Sequence, residues 1–234
     1  MSDVILIVGA GPGMGAAIGR RFAREGFKVA LAGRTLSKVQ DLAADISGAK
    51  GFACDATDEA SVKALFDAVK KDMGEPNVVV FNASGRVRAS ILDIEVEDFE
   101  KAWQISCLGG FIVGRDAARI MTPKGKGTIL FTGATASVKS YANSAGFAVG
   151  KFGLRALSYS MAREFGPKGI HVAHVVIDGG IRADHRTDYR QHDPENPDKW
   201  LDPDAIADNY WMLHAQHRSS WTSEIDVRPW VEKF

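Results

Sequence analysis

The chain has 234 residues, 45% hydrophobic and 25% charged, enough to bury the core of one globular domain spanning residues 1–234. Its 29 basic and 29 acidic side chains cancel to a formal net charge of +0, which removes the electrostatic case for nucleic acid or an anionic membrane surface as a partner. The two cysteines, Cys54 and Cys107, have neither metal-ligand spacing nor a disulfide framework, so no metal is expected and a reducing, cytoplasmic setting is inferred.

A first strand is expected over residues 4–8; this apolar run is too short for a signal peptide or a membrane span and ends in a glycine turn. The turn lies in "LIVGAGPGMG", residues 6–15, and leads into a helix over 14–25. Strand, glycine turn and helix together bring helix N-terminal amides beside a site for a pyrophosphate. The spacing is Gly9-x-x-x-Gly13-x-Gly15, and Met14 stands where the last glycine of G-x-G-x-x-G would fall; read from Gly11 the pattern survives only as G-x-G-x-x-A. Taken alone, such a turn also serves as a plain strand-to-helix connection.

Further along, β-branched runs at 29–32, 52–54 and 78–81 alternate with helical periodicity over 36–46, 59–73 and 99–121. A strand at 128–132, a helix at 146–165 and a strand at 171–177 continue the pattern. The alternation predicts an α/β fold with a doubly wound parallel sheet of about seven strands. Residues 182–203 depart from it, being polar and aperiodic, and read as a surface excursion; a helix over 203–217 and a last strand in "EIDVRP", 224–229, follow.

Three short stretches follow successive strands: "LAGRT" (31–35), "CDATD" (54–58) and "FNASG" (81–85). With the glycine turn they make the chain resemble the short-chain dehydrogenase/reductase family, from Val4 to about Ile181. The resemblance implies a Rossmann fold in which Gly9, Gly11, Gly13, Met14 and Gly15 surround a dinucleotide pyrophosphate. Asp55 and Ala56 would meet adenine, and Asn82, Ala83 and Ser84 would support the cofactor, Ser84 replacing a glycine. An acidic residue ending the second strand would favour NAD(H); Gly33 and Arg34 stand there, so NADP(H) is favoured over NAD(H). The alternative is that Arg34 is a solvated surface side chain.

Family members that reduce carbonyls or oxidise alcohols carry an Asn, a Ser and a Tyr-x-x-x-Lys, because a proton must move while hydride moves. An ammonium beside a tyrosine lowers its pKa from about 10 toward neutrality. Alignment of "GTILFTGATAS" (127–137) puts Ala134 at the serine, "SAGFAVGKFGL" (144–154) puts Phe147 at the tyrosine and Lys151 at the lysine, and "WQISCLGG" (103–110) puts Ser106 at the asparagine. The usual mechanism is therefore unavailable. Lys151 is explained equally by a grip on the nicotinamide ribose. Tyr141, Ser144, Thr135 and Ser137 are substitute hydroxyls, Tyr141 foremost, though each also reads as a loop polar group or helix cap.

The family's Pro-Gly after the sixth strand becomes Gly179-Gly180 in "VVIDGGI", with Gly180 and Ile181 at the cofactor. His171 and His174 are expected to bond within the sheet. By analogy a substrate cover spans about 182–217, in which Asp184, His185, Arg186, Tyr189 and Arg190 are candidates for a polar or anionic ligand, against the alternative of a solvated loop. Trp200, Trp211, Trp221 and Trp230 fall late in the chain and suit a pocket or a subunit contact. The leading expectation is an NADP(H)-dependent oxidoreductase with a non-standard proton donor, acting on a small carbonyl or conjugated enoyl substrate. It would be a homodimer or homotetramer. Alternatives are an inactive NADP(H)-binding sensor or partner subunit, and an ordinary carbonyl reductase whose motif is misaligned.

Overall fold

Residues 3–183 and 197–232 are described by the structure, a computed structural model. The strands are β1 (Val4–Val8), β2 (Lys28–Gly33), β3 (Ala49–Ala53), β4 (Val78–Phe81), β5 (Gly127–Thr132), β6 (Ile170–Ile177), β7 (Gly180–Ile181), β8 (Trp200–Leu201) and β9 (Glu224–Val227). Seven of them form one parallel sheet in the order β3-β2-β1-β4-β5-β6-β9, and β7 pairs with β8 alone. This is the doubly wound Rossmann-like sheet expected from the alternation of strands and helices.

The helices are α1 (Met14–Arg24), α2 (Leu36–Ala44), α3 (Glu59–Asp72), α4 (Val96–Trp103), α5 (Gly109–Met121), α6 (Ala145–Phe165) and α7 (Pro203–Ala215). They cover both sheet faces, so the inner strands are apolar without alternation. In β1, Val4, Leu6 and Val8 pack toward α3, α5 and α6, while Ile5 and Ile7 pack toward α1, α2 and α7. All five are at most 1% exposed. Each such side chain contributes about 1.5–3 kcal/mol when fully buried, which fixes the strand whose end carries the glycine turn.

Two departures from the sequence expectation bear on the site. The helix expected over 99–121 begins at Val96, where Glu97 and Asp98 suit the positive end of a helix dipole, and it is interrupted by a π-helical turn at Gln104–Leu108. Helical periodicity does not reveal one extra residue in a turn. Beyond it Gly110 lets α5 close on α6, since a Cβ there would lie 2.3 Å from Leu154 Cδ1. The second departure is α7, which packs on α1 with Ile206, Ala207, Tyr210 and Leu213 buried, so the stretch beyond 202 belongs to the domain's own layer.

The four tryptophans beyond residue 199 have separate surroundings. Trp211 meets Phe22 and Phe27 edge-on, Trp221 stacks on His171, Trp200 covers Gly180, and Trp230 is exposed with its indole N–H donating to Asp198. His171 bonds the Thr222 carbonyl and His174 the Glu224 carboxylate, both in or beside β9. Among the described residues no helix is long and apolar enough to cross a membrane. Asp184, His185, Arg186, Tyr189 and Arg190 lie outside the described residues.

Candidate cofactor and substrate cleft

The crossover from β1 runs to one face of the sheet and that from β4 to the other, which opens a crevice at the strands' carboxyl ends. An outer cleft of about 440 Å³ lies there, running from Gly9 and Gly11 past Arg34 to Asp55 and Ala56. Gly9 sits at φ +87, and a Cβ on it would come within 2.4 Å of Ala83 N. Only glycine allows that turn. Gly15 is equally close-packed, its missing Cβ falling 2.7 Å from Ala10 Cα, whereas Gly11 opens onto the cleft with nothing near it. Gly13 is the N-cap of α1 and offers no side chain, so with Ala16 N donating to Gly11 O it is the Met14 and Gly15 amides that no side chain caps.

Neighbouring strands hold the turn in place. Asn82 donates its side-chain amide to Gly9 O at 3.0 Å and its backbone amide to Val8 O at 2.8 Å. Asp55 accepts from the backbone and hydroxyl of Thr57, and those bonds, with Arg34 nearby, hold its carboxyl below the usual range. Arg34 and Lys38 both line the cleft and are exposed. A cradle that only glycine fits, free helix amides and a paired cationic edge match a phosphate-bearing dinucleotide.

An inner pocket of about 260 Å³ continues the crevice between β4, β5 and α6, lined among others by Met14, Ser84, Ala134, Tyr141, Phe147 and Ile181. Lys151 closes it, 2% exposed, with Nζ donating to Thr132 O at 2.7 Å. Burial first, and the Arg86 charge second, lower its pKa to about 7. On the far side of β5, Thr132 Oγ1 lies 2.7 Å from the hydroxyl of the buried Tyr210, so Lys151's acceptor is itself pinned.

The substitute hydroxyls separate into two groups. Tyr141 and Thr135 line the inner pocket, Tyr141 45% exposed, whereas Thr135 Oγ1 donates to the buried Asp178 at 2.5 Å. Ser144, Ser137 and Ser106 are committed to backbone: Ser144 Oγ donates to Tyr141 O, Ser137 Oγ accepts from Ala134 N, and Ser106 Oγ accepts from Gly85 N at 2.9 Å. Ser106 lies in the π-helical turn, with its side chain against Gly150 rather than Lys151's amine. Gly180 is covered by the Trp200 ring, and Ile181 faces the inner pocket.

Sequence reasoning overlooked Lys38, Arg86 and Asp178. Lys38 lies in the first turn of α2, just after the Arg34 corner, and lines the same cleft. Arg86 follows the Asn82–Gly85 stretch and lies with its Cζ 4.4 Å from the centre of the Phe147 ring, a juxtaposition no local pattern announces. Among the described residues no group of His, Cys, Asp and Glu side chains could hold a metal ion.

The family model described as short chain dehydrogenase matches residues 3–194. The chain is 32% identical over 184 residues to the 3-oxoacyl-(acyl-carrier-protein) reductase MabA of Mycobacterium tuberculosis, covering 79% of this chain and 71% of that protein. Among solved structures it is similar to a short-chain dehydrogenase from Rhodopseudomonas palustris, at 38% identity and a TM-score of 0.82 over 97% of this chain and 99% of that one. A 3-ketoacyl-(acyl-carrier-protein) reductase from Brucella melitensis complexed with NADH shares the fold at 24% identity and a TM-score of 0.87, over 97% of both chains.

Proposed function

Because this chain belongs to the short-chain dehydrogenase family, we propose that it is an NADP(H)-dependent oxidoreductase acting on a small carbonyl or conjugated enoyl substrate without a tyrosine proton donor at position 147. The observation that carries this reading is Lys151, a buried amine at the floor of the inner pocket with Nζ donating to Thr132 O, its pKa lowered by burial. A bound nicotinamide cofactor supplies hydride exchange with a substrate carbon at that end of the crevice.

Gly9, Gly11, Gly13 and Gly15 admit the pyrophosphate, and Arg34 with Lys38 meets a 2′-phosphate that NADH lacks. Ala134 and Phe147 can neither give nor take a proton. Lys151 Nζ, its pKa pulled by burial from the ordinary lysine value toward neutrality, is the group that holds the proton the substrate receives or loses. Tyr141 at the pocket mouth is a second proton-bearing group in reach of a substrate. Ser106 and Ser144, bound to backbone groups, position Gly85 and the Tyr141 loop. Exposed Phe111 on α5, with Val149 and Phe152 on the adjoining α6, supports a homodimer or homotetramer, which light scattering on the eluted protein measures.

The test is deuterium transfer from NADPH labelled at either nicotinamide face into a metabolite extract, with Tyr141→Phe and Lys151→Met proteins alongside. We expect a labelled product from the native protein, little change with Tyr141→Phe, and a rate that changes through pH 7 and loses that dependence in Lys151→Met. No labelled product, with NADPH binding verified in the same sample, would establish instead a cofactor-binding protein without chemistry.

A further inference from the structure

We propose that the inner pocket recognises an oxyanion on its substrate, a carboxylate or a phosphate, through Arg86 held against the face of Phe147. The inference deepens the oxidoreductase reading by naming the substrate's charge, and it rests on that reading only in calling the anion part of a substrate. Arg86 Cζ stands 4.4 Å from the Phe147 ring centre. A guanidinium lying on an aromatic face keeps its N–H fork available at the edge, the geometry that meets a carboxylate or phosphate in two parallel bonds. Phenylalanine suits this role at 147, since the negative face of its ring quadrupole attracts the cation and it brings no hydroxyl into the pocket.

The surroundings supply no counter-charge. Among the described residues lining the pocket there is no Asp or Glu, and Arg86 makes no ion pair with a described residue. The buried carboxylate of Asp178 is directed to Thr135, with Lys139 and Arg228 within 3.9 and 3.6 Å. Lys151 adds a second cation to the same pocket. Arg86 is also held at its root: Gly85 is buried, donates to Ser106 Oγ, and could not carry a Cβ, which would fall 2.8 Å from Ala102 Cα. Two cations facing one pocket oppose each other, and the Arg86 charge adds, after burial, to the lowering of the Lys151 pKa. An anion between them removes that opposition, so its binding at pH 7–8 draws a proton onto Lys151.

Calorimetry tests this with butanoate, its neutral counterpart butanamide, and inorganic phosphate, titrated at fixed ionic strength into the native protein with and without NADPH. Arg86→Met and Arg86→Lys proteins accompany it. Because Arg34 and Lys38 give phosphate a second cationic site, the series is repeated in an Arg34→Asp background. We expect an anion to bind at least tenfold tighter than butanamide, and that ratio to vanish in Arg86→Met and recover partly in Arg86→Lys. Net proton uptake, read from HEPES and Tris buffers, should accompany binding and disappear in Lys151→Met. Tighter butanoate assigns a carboxylate substrate, tighter phosphate a phosphorylated one. Equal binding of butanoate and butanamide with none of phosphate, anion binding unchanged by Arg86→Met, or no anion binding at all overturns the proposal. Loss of NADPH binding with Arg86-dependent anion binding intact would break the oxidoreductase reading and leave the anion site standing.

Discussion

The two ends of the crevice are built differently. The outer end is assembled from short consecutive pieces, a strand, its turn and the next helix, repeated at β1–α1 and β2–α2. The inner end draws on Asn82–Arg86, the end of β5, the first turns of α6 and the β6–β7 connection with Ile181, segments separated by tens of residues. The outer end keeps a glycine turn that no side chain could fill, while the inner end is lined by Ala134, Phe147 and the two cations Arg86 and Lys151. A phosphate cradle depends on backbone geometry that little else can supply. Proton transfer needs only a suitably tuned group within reach, and more than one side chain can be that group.

Four substitutions sharpen or break this comparison. Gly9→Ala has the largest expected effect, since it combines a left-handed φ with a 2.4 Å clash on Ala83 N. It should cost about 2–4 kcal/mol of stability, lowering Tm by roughly 5–15 °C, and abolish NADPH binding in a fluorescence titration. A Gly9→Ala protein that binds NADPH normally would mean the cradle is not where the phosphates sit.

Arg34→Asp should weaken NADPH by about 10- to 100-fold, the loss of a charge-assisted contact, and leave NADH within a few-fold. Equal losses for both cofactors would show that Arg34 does not discriminate. The inner end answers differently, through pH. Lys151 has a folded pKa of about 7 against an ordinary 10.5, so the unfolded chain binds the extra proton between those values and the native protein gains stability as pH rises through that window. Lys151→Met should therefore melt a few degrees higher than the native protein at pH 7, with the advantage shrinking toward pH 10.5; a constant advantage would contradict the buried ammonium.

Ser106→Ala has the smallest expected effect. It leaves the buried Gly85 N–H without its acceptor, a cost of about 1–3 kcal/mol, with NADPH affinity unchanged. Substrate KM should rise through the loosened Arg86 while the pH dependence stays with Lys151. A shifted pH profile would give Ser106 a direct part in proton transfer.

The outer end was legible in the sequence because its determinants are local. Gly9, Arg34, Asp55 and Asn82 each follow a strand at a fixed offset, and the strands announce themselves as apolar runs buried on both faces. The π-helical turn escaped notice because an inserted residue leaves the hydrophobic period almost unchanged, and with it went the placement of Ser106 against Gly85 and Gly150. β3 begins at Ala49, three residues ahead of the apolar Phe52, because an edge strand pairs on one side and tolerates Lys50.

By itself the sequence determined the strand and helix order, the glycine turn and the absence of hydroxyls at Ala134 and Phe147, since composition and spacing fix backbone conformation over a few residues. Only the tertiary structure decided which polar groups remain free. Ser137 and Ser144 stood behind Tyr141 as substitute hydroxyls and Ser106 stood at the asparagine position; folding gave all three hydroxyls to nearby backbone groups. Lys151's depressed pKa and the approach of Arg86 to Phe147 arise because burial and the proximity of distant charges are properties of packing, and no single stretch of chain contains them.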